Sequence, residues 1–146
     1  MRINYGFGYY DGAVRNGLPN GEGKFFHNNG DRYEGGFYDG MRRGYGVCFY
    51  ANGDRYEGQW LDNRKTGQGK YFYACGDVYD GGWLDDKMSG FGIYQMAGGN
   101  RFEGNYVDGS ACGRGVLYYA NGDRFEGEFK DDKRTENGIM YRMNDE

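Results

Sequence analysis

The sequence contains one proline and one histidine in 146 residues, and leucine, isoleucine and valine are scarce. No apolar run approaches the roughly 18 residues that a membrane-spanning helix needs. Residues 1–10 also lack the basic start and apolar stretch of a secretory signal peptide. We therefore predict a cytoplasmic protein.

Several kinds of chemistry lack the residues they need. A single histidine, His27, gives little basis for acid–base pairs or His-rich zinc sites, and we interpret it as a strand-end surface residue. The net charge of -4 argues against a nucleic-acid partner, because such domains are normally basic. Three widely spaced cysteines, Cys48, Cys75 and Cys112, favour free thiols in a reducing compartment over a disulfide framework. The sequence thus predicts no catalytic residue, no cofactor and no metal site.

Glycine and aromatic residues dominate what is present, with 30 glycines and an aromatic content of 19%. Without a Gly-X-Y triplet this composition excludes collagen, and so many rings argue against a disordered tract. Because aliphatic side chains are few, a buried core must consist mainly of rings.

Three sequence marks recur at intervals of 23 residues. The first is an aromatic residue followed by Glu or Asp and then Gly, and its aromatic members are Tyr10, Tyr33, Tyr56, Tyr79, Phe102 and Phe125. The second is a Gly-x-Gly step beginning at Gly21, Gly44, Gly67, Gly90 and Gly113. The third is a turn of Asn-Gly-Asp type beginning at Asn29, Asn52, Cys75, Gly98 and Asn121. Self-similarity at a fixed period indicates a repeat architecture, so residues 1–146 are predicted to form one repeat array.

Each unit has two turn signals separated by short runs of β-favouring residues. The first turn uses pairs such as Asp39-Gly40 and Asp62-Asn63, which tolerate the positive φ of tight hairpins. This pattern predicts an all-β, elongated, single-layer antiparallel sheet of repeated hairpins, about 50 Å long at the usual strand spacing. Residues 3–8 are expected to contribute part of one more strand, and exposed terminal strands could support a homodimer.

Alternation along the strands assigns residues to two faces. One face carries two aromatic residues per unit, four positions apart, with Gly between them so that neighbouring rings can lie over bare backbone. The opposite face carries opposite charges two residues apart, at Arg32/Glu34, Arg55/Glu57, Arg101/Glu103 and Arg124/Glu126. We interpret these pairs as a solvated ionic row.

The series Tyr-Glu-Gly-x-aromatic, Gly-x-Gly and Asn-Gly-Asp resembles the MORN repeat, whose usual form is close to Tyr-x-Gly-x-Trp ending in Gly-x-Gly. Five full repeats start near Tyr10, Tyr33, Tyr56, Tyr79 and Phe102, and a degenerate sixth from Phe125 is interpreted as a cap. The resemblance implies a twisted single-layer sheet with an aromatic groove, and a role in organising membranes, cytoskeleton, cilia or multi-protein assemblies. The chain departs from the family before each Gly-x-Gly step, where a frequent His is replaced by Asn20, Arg43, Thr66, Ser89 and Cys112. Any role of that His cannot be carried over.

A single-layer sheet has no second layer to cover its aromatic face, and soluble proteins rarely expose large apolar patches. The rings could pack only among themselves, or could also form a groove for a helix or extended peptide of a protein partner. The residues predicted to form this partner-binding groove are Tyr33, Phe37, Tyr56, Trp60, Tyr79, Trp83, Phe102, Tyr106, Phe125 and Phe129. We expect a non-catalytic interaction scaffold in a cytoskeletal or ciliary assembly.

Two alternatives stay open. Basic residues at the hairpin turns, in Met41-Arg42-Arg43 and Asn63-Arg64-Lys65, could be plainly solvated or could bind anionic phospholipids and tether the chain to a membrane. The array could instead regulate an enzyme carried by another chain.

Overall fold

The computed structural model describes residues 1–143, which form thirteen antiparallel strands in one open sheet. The strands lie side by side in chain order, so each pairs only with its neighbours in sequence. Their bounds are β1 Arg2–Tyr5, β2 Gly8–Arg15, β3 Leu18–His27, β4 Arg32–Tyr38, β5 Met41–Phe49, β6 Arg55–Leu61, β7 Arg64–Phe72, β8 Val78–Leu84, β9 Lys87–Gln95, β10 Arg101–Val107, β11 Ser110–Tyr118, β12 Arg124–Lys130 and β13 Lys133–Tyr141. The predicted all-β, single-layer hairpin array is confirmed. Over residues 1–143, no helix has the length and apolar character to cross a membrane.

The turn inside each repeat places two consecutive residues at positive φ. In the β4–β5 hairpin φ is 46° at Asp39 and 84° at Gly40, and in the β6–β7 hairpin it is 48° at Asp62 and 70° at Asn63. Two such residues form the two-residue turn whose twist matches that of an antiparallel strand pair. Asp and Asn adopt this conformation more readily than other residues with a Cβ, which explains why they recur here.

The two glycines of each Gly-x-Gly step have different functions. Gly44 has a φ of 78° and lies where the β4–β5 register shifts between Gly35 and Phe37. Gly46 lies beneath the ring of Tyr33, and a Cβ there would overlap the phenol. The first glycine thus permits a bulge in the hairpin, and the second leaves room for a ring over the backbone.

The sheet extends beyond the five full repeats at both ends, by one strand at the N-terminal side and by one hairpin at the C-terminal side. The extra strand expected within residues 3–8 is β1, which pairs with β2. At the other end β13 pairs with β12, and Gly138 lies beneath the ring of Phe125 as its counterparts do in other repeats. The sixth unit is therefore a complete hairpin, although most of its last strand is exposed.

The turns between repeats are joined by a series of side-chain to backbone hydrogen bonds. The carboxylate of Asp54 accepts from the amide of Ala74 at 2.7 Å, and that of Asp77 accepts from the amide of Ala97 at 2.8 Å. Asn100 makes the same contact with its side-chain carbonyl oxygen, at 2.8 Å from the Ala120 amide. The third residue of each Asn-Gly-Asp turn therefore fixes the corresponding turn of the next repeat.

Replacing Asp77 should separate the role of this hydrogen bond from that of the charge. The hydrogen bonds that the carboxylate accepts from Ala97 and from the Tyr94 hydroxyl hold its pKa below the usual value. A lowered pKa in the folded state gives stability that is present above about pH 4 and is lost as the pH falls through the folded pKa. We expect Asp77→Ala to lose about 1–2 kcal/mol of unfolding free energy at pH 7, because two hydrogen bonds are removed.

The matched control is Asp77→Asn, because Asn100 shows that an amide oxygen can accept the same backbone bond. This variant should lie within about 1 kcal/mol of the parent at pH 7. Its stability should also fall less steeply than that of the parent below pH 4. Urea unfolding at several pH values measures both effects, and parallel acid profiles for the parent and Asp77→Asn would contradict the assignment.

Candidate functional site

The candidate site lies on the aromatic face, where two ring positions per repeat pack against the corresponding rings of neighbouring repeats. Tyr56 meets Trp60 and Trp83 edge to face, with both centroid separations at 5.3 Å. The indole N–H groups of Trp60 and Trp83 donate to backbone carbonyls of the preceding hairpins at 3.2 and 3.1 Å. Each ring thus contacts its own repeat and an adjacent one, which makes the core continuous along the array.

The structure places the residues of the predicted groove in the core of the aromatic face. All ten predicted residues belong to the core and expose at most 7% of their surface: Tyr33, Phe37, Tyr56, Trp60, Tyr79, Trp83, Phe102, Tyr106, Phe125 and Phe129. They are covered because the second strand of each hairpin carries further large side chains on the same face. A partner on this face would therefore meet those covering side chains first, and partner binding itself stays a prediction.

The covering side chains form a half-buried surface over the core. It consists of Tyr50, Tyr71, Tyr73, Met88, Tyr94, Met96, Leu117 and Tyr119, called the groove surface below. Two of its phenols are fixed by turn carboxylates, since Tyr71 donates to Asp54 and Tyr94 to Asp77, both at 2.8 Å. Burial, and then these hydrogen bonds, raise the pKa of both phenols, so they remain protonated donors at neutral pH.

The sequence model of the MORN repeat family matches six consecutive segments, at residues 10–32, 33–55, 56–78, 79–101, 102–124 and 125–145. The chain belongs to the MORN-repeat family. The match includes the sixth unit, in agreement with the pairing of β12 and β13.

Comparisons with individual proteins add a distant likeness. The TCP domain of SAS-4 (dCPAP) from Drosophila melanogaster, solved in complex with a proline-rich motif of Ana2 (dSTIL), is 18% identical to this MORN array. The alignment covers 84% of each chain, with a TM-score of 0.41. A search of curated proteins gave no match.

Cations at the hairpin turns of the MORN array lie against its rings. The Arg42 guanidinium lies 4.5 Å from the Trp60 ring centroid and donates to the side chain and backbone carbonyl of Asn63. The Lys65 side chain is only 14% exposed, and its ammonium lies 3.7 Å from Asp86. Two of the cations considered for lipid binding therefore make contacts within the chain.

Lys65 lies within an aromatic enclosure. Its Nζ is 5.6 Å from the ring centroids of Tyr50, Tyr56, Trp60 and Trp83, and 5.9 Å from that of Tyr71. Burial lowers the pKa of this ammonium, while the charge of Asp86 acts in the opposite direction. Ring faces and a carboxylate are the groups that stabilise an ammonium ion removed from water.

A cavity of about 300 Å³ lies further along the same face. Core rings form part of its wall, and Met88, Tyr94, Met96 and Leu117 of the groove surface form another part. Ala111 and Asp132 line it at the hairpin-turn side. The cavity thus combines apolar walls with one carboxylate, as small binding pockets commonly do.

His27 and the three cysteines differ in their surroundings. His27 ends β3, is half-buried beside Phe25, and has its pKa lowered by burial and then by Arg42. Residues 1–143 contain no group of three or more His, Cys, Asp or Glu side chains placed to hold a metal ion. Cys48 is buried, which raises its thiol pKa, whereas Cys75 and Cys112 are exposed, and all three are unpaired in this part of the chain.

The opposite face contains the predicted row of Arg–Glu pairs, and each arginine also lies over an aromatic ring. Arg55 pairs with Glu57 at 3.1 Å, and the guanidinium also lies 4.1 Å from the ring centroid of Phe72. Arg32, Arg101 and Arg124 repeat both contacts in their own repeats. These glutamates therefore have local structural partners.

Proposed function

We propose that this MORN array is a non-catalytic protein-interaction scaffold whose groove surface binds a helix or extended segment of a partner protein. The observation that carries the proposal is the half-exposed row of Tyr, Met and Leu side chains beside a cavity of about 300 Å³. No second layer covers that row within residues 1–143. Aromatic residues and methionine are enriched at protein interfaces, whereas a surface that only faces solvent is usually richer in charge.

The spacing of the groove surface suits a long, narrow ligand. Tyr71, Tyr94 and Leu117 occupy one position on successive hairpins, about 10 Å apart at the usual strand spacing. An extended peptide covers that distance in about three residues, and a helix covers it in about seven. Seven residues are close to two helical turns, so an amphipathic helix could present one apolar anchor to each repeat.

The cytoplasm is the compartment that fits three free cysteines. Within it we favour a cytoskeletal or ciliary assembly, on the family resemblance alone.

The test compares two tyrosine truncations on opposite faces. Tyr73→Ala removes a groove ring that contacts Tyr71 and Tyr94 at centroid separations of 4.5 and 5.8 Å. Tyr45→Ala is the matched control, because Tyr45 is 56% exposed and alternates to the other face of β5. Both variants should remain folded, as checked by thermal melting.

Affinity capture followed by titration with the captured partner provides the measurement. Tyr73→Ala should weaken that partner's binding by roughly tenfold or more, as truncating an aromatic anchor does, while Tyr45→Ala should leave the Kd unchanged. Equal Kd values for the parent and a folded Tyr73→Ala would remove the groove from the proposal. A loss caused only by Tyr45→Ala would move the binding surface to the ionic face.

A further inference from the structure

One position on the aromatic face has six copies, and three of them hold a cation of the chain itself. The copies are Pro19, Arg42, Lys65, Met88, Ala111 and Arg134. Pro19 pairs with Val14, and each of the other five pairs with the second ring of its repeat. Arg42 and Lys65 lie over rings as described, and Arg134 lies 5.5 Å from the Phe125 ring centroid. At this position the fold therefore repeatedly builds a site for a positively charged side chain.

Ala111 lies two repeats after Lys65, and its surroundings correspond to those of Lys65 position by position. Asp86 corresponds to Asp132, and the three core rings Tyr56, Trp60 and Trp83 correspond to Phe102, Tyr106 and Phe129. All four of these counterparts line the cavity. It is a second copy of the Lys65 enclosure in which alanine leaves the lysine's space open.

The lining retains its aromatic character, although two rings are exchanged. Met96 and Leu117 stand where the Lys65 enclosure has Tyr50 and Tyr71. Tyr73 and Tyr94, from the two preceding repeats, contribute two other rings to the wall. Five aromatic side chains thus surround this space, as five surround Lys65.

The hydrogen bond that Asp132 makes to the backbone does not require its charge. Its Oδ1 accepts from the Ala111 amide at 2.8 Å, as Asp86 accepts from the Lys65 amide at 2.8 Å. Asn63 makes the same bond to the Arg42 amide at 2.9 Å, so the backbone contact does not require a negative charge. Among residues 1–143 no salt bridge involves Asp132. The carboxylate is available to a cation from outside the chain.

We infer that the cavity beside Ala111 binds a lysine or arginine side chain of the partner, in the place that Lys65 takes in its own repeat. This inference rests on the proposed function and specifies the chemistry of the partner segment. The aliphatic stem would lie along Met96 and Leu117, and the charged end would lie near Asp132 and the ring faces. A partner is favoured over a lipid headgroup because the occupied copy holds a side chain carried on a protein backbone.

The test uses small probes rather than the unidentified partner. N-acetyl-lysine N-methylamide is titrated into the isotope-labelled chain, and amide shifts are followed by NMR. The norleucine derivative is the matched neutral probe, since it has a similar aliphatic stem without the ammonium. We expect the lysine probe to shift the amides around Ala111 and to bind roughly fivefold more tightly than the norleucine probe.

Two variants test where the lysine probe binds and whether the Asp132 carboxylate recognises its ammonium. Ala111→Lys should fill the cavity with the chain's own lysine and abolish the shifts, and Lys65 shows that the fold accommodates this residue. Asp132→Asn keeps a side-chain oxygen that can accept from the Ala111 amide, as Asn63 accepts from the Arg42 amide. This variant should bind the lysine probe about as weakly as the norleucine probe. The amide spectrum of each variant confirms that it is folded.

Several outcomes would overturn the inference: equal binding of both probes, an unchanged lysine preference in Asp132→Asn, or undiminished binding to Ala111→Lys. Tighter binding of choline than of the lysine probe would also overturn it, in favour of a lipid headgroup. If the inference fails while Tyr73→Ala still weakens the partner, the scaffold proposal stands without it. If the probes behave as expected and no folded groove variant affects the partner, the scaffold proposal fails instead.

Discussion

Replacing Gly69 by alanine is expected to destabilise the array by about 3 kcal/mol or more, at the upper end of the cost of overpacking a core. Gly69 lies beneath the ring of Tyr56, and a Cβ there would overlap Oη, Cζ and Cε1 of the phenol. The ring cannot easily move away, because it is fully buried and packs between Trp60 and Trp83. Its hydroxyl also donates to the Gln59 carbonyl at 3.0 Å, and a displaced ring would lose that bond.

Urea unfolding of Gly69→Ala beside Gly98→Ala tests this expectation. Gly98 has no atom within 4 Å of a Cβ built on it, and Asn29, Asn52 and Asn121 occupy its position in other repeats. Gly98→Ala should therefore change the unfolding free energy by less than about 0.5 kcal/mol. Similar unfolding free energies for the two variants would show that the Tyr56 ring does not require bare backbone at Gly69.

Much of this fold follows from the 23-residue period. Because each mark recurs at the same phase, the hairpin predicted for one repeat applies to all of them. Glycine between two ring positions predicts that rings lie over bare backbone. In the structure the Tyr33 ring lies above Gly46, which belongs to the Gly-x-Gly step and pairs with Gly35 from the next strand. Regular alternation also assigns Arg55 and Glu57 to the face opposite the rings, where they pair.

The sequence did not show which side chains cover the rings. Simple alternation fails at the bulge of each hairpin, where the register shifts between Gly58 and Gln59, so it cannot place residues near the turn. Lys65 therefore resembles a solvated turn cation in sequence, although the structure places it against five rings. The groove surface keeps the 23-residue spacing as well, but one of its positions changes from Tyr94 to Leu117 and another from Tyr73 to Met96, so no shared motif identifies it.

Truncating Trp83 to alanine should cost about 3–5 kcal/mol, the range for removing a large buried aromatic side chain. The indole is 7% exposed and packs edge to face with Tyr56 and Tyr79 at centroid separations of 5.3 and 5.4 Å. Its removal would leave a cavity between two repeats and an unpaired acceptor at the Gly69 carbonyl. Since each repeat packs only on its neighbours, this loss would uncouple the two halves of the array.

Trp83→Phe is the matched variant, because Phe37 and Phe129 occupy the same position in other repeats. It should lose only about 1–2 kcal/mol, from the missing N–H donor and the smaller ring. Urea unfolding monitored by Trp60 fluorescence measures both variants, and near-equal losses would show that the indole hydrogen bond, rather than ring packing, dominates. Because Trp83→Ala acts on the core, weaker partner capture by that variant reports unfolding, and only a folded groove variant such as Tyr73→Ala can report binding.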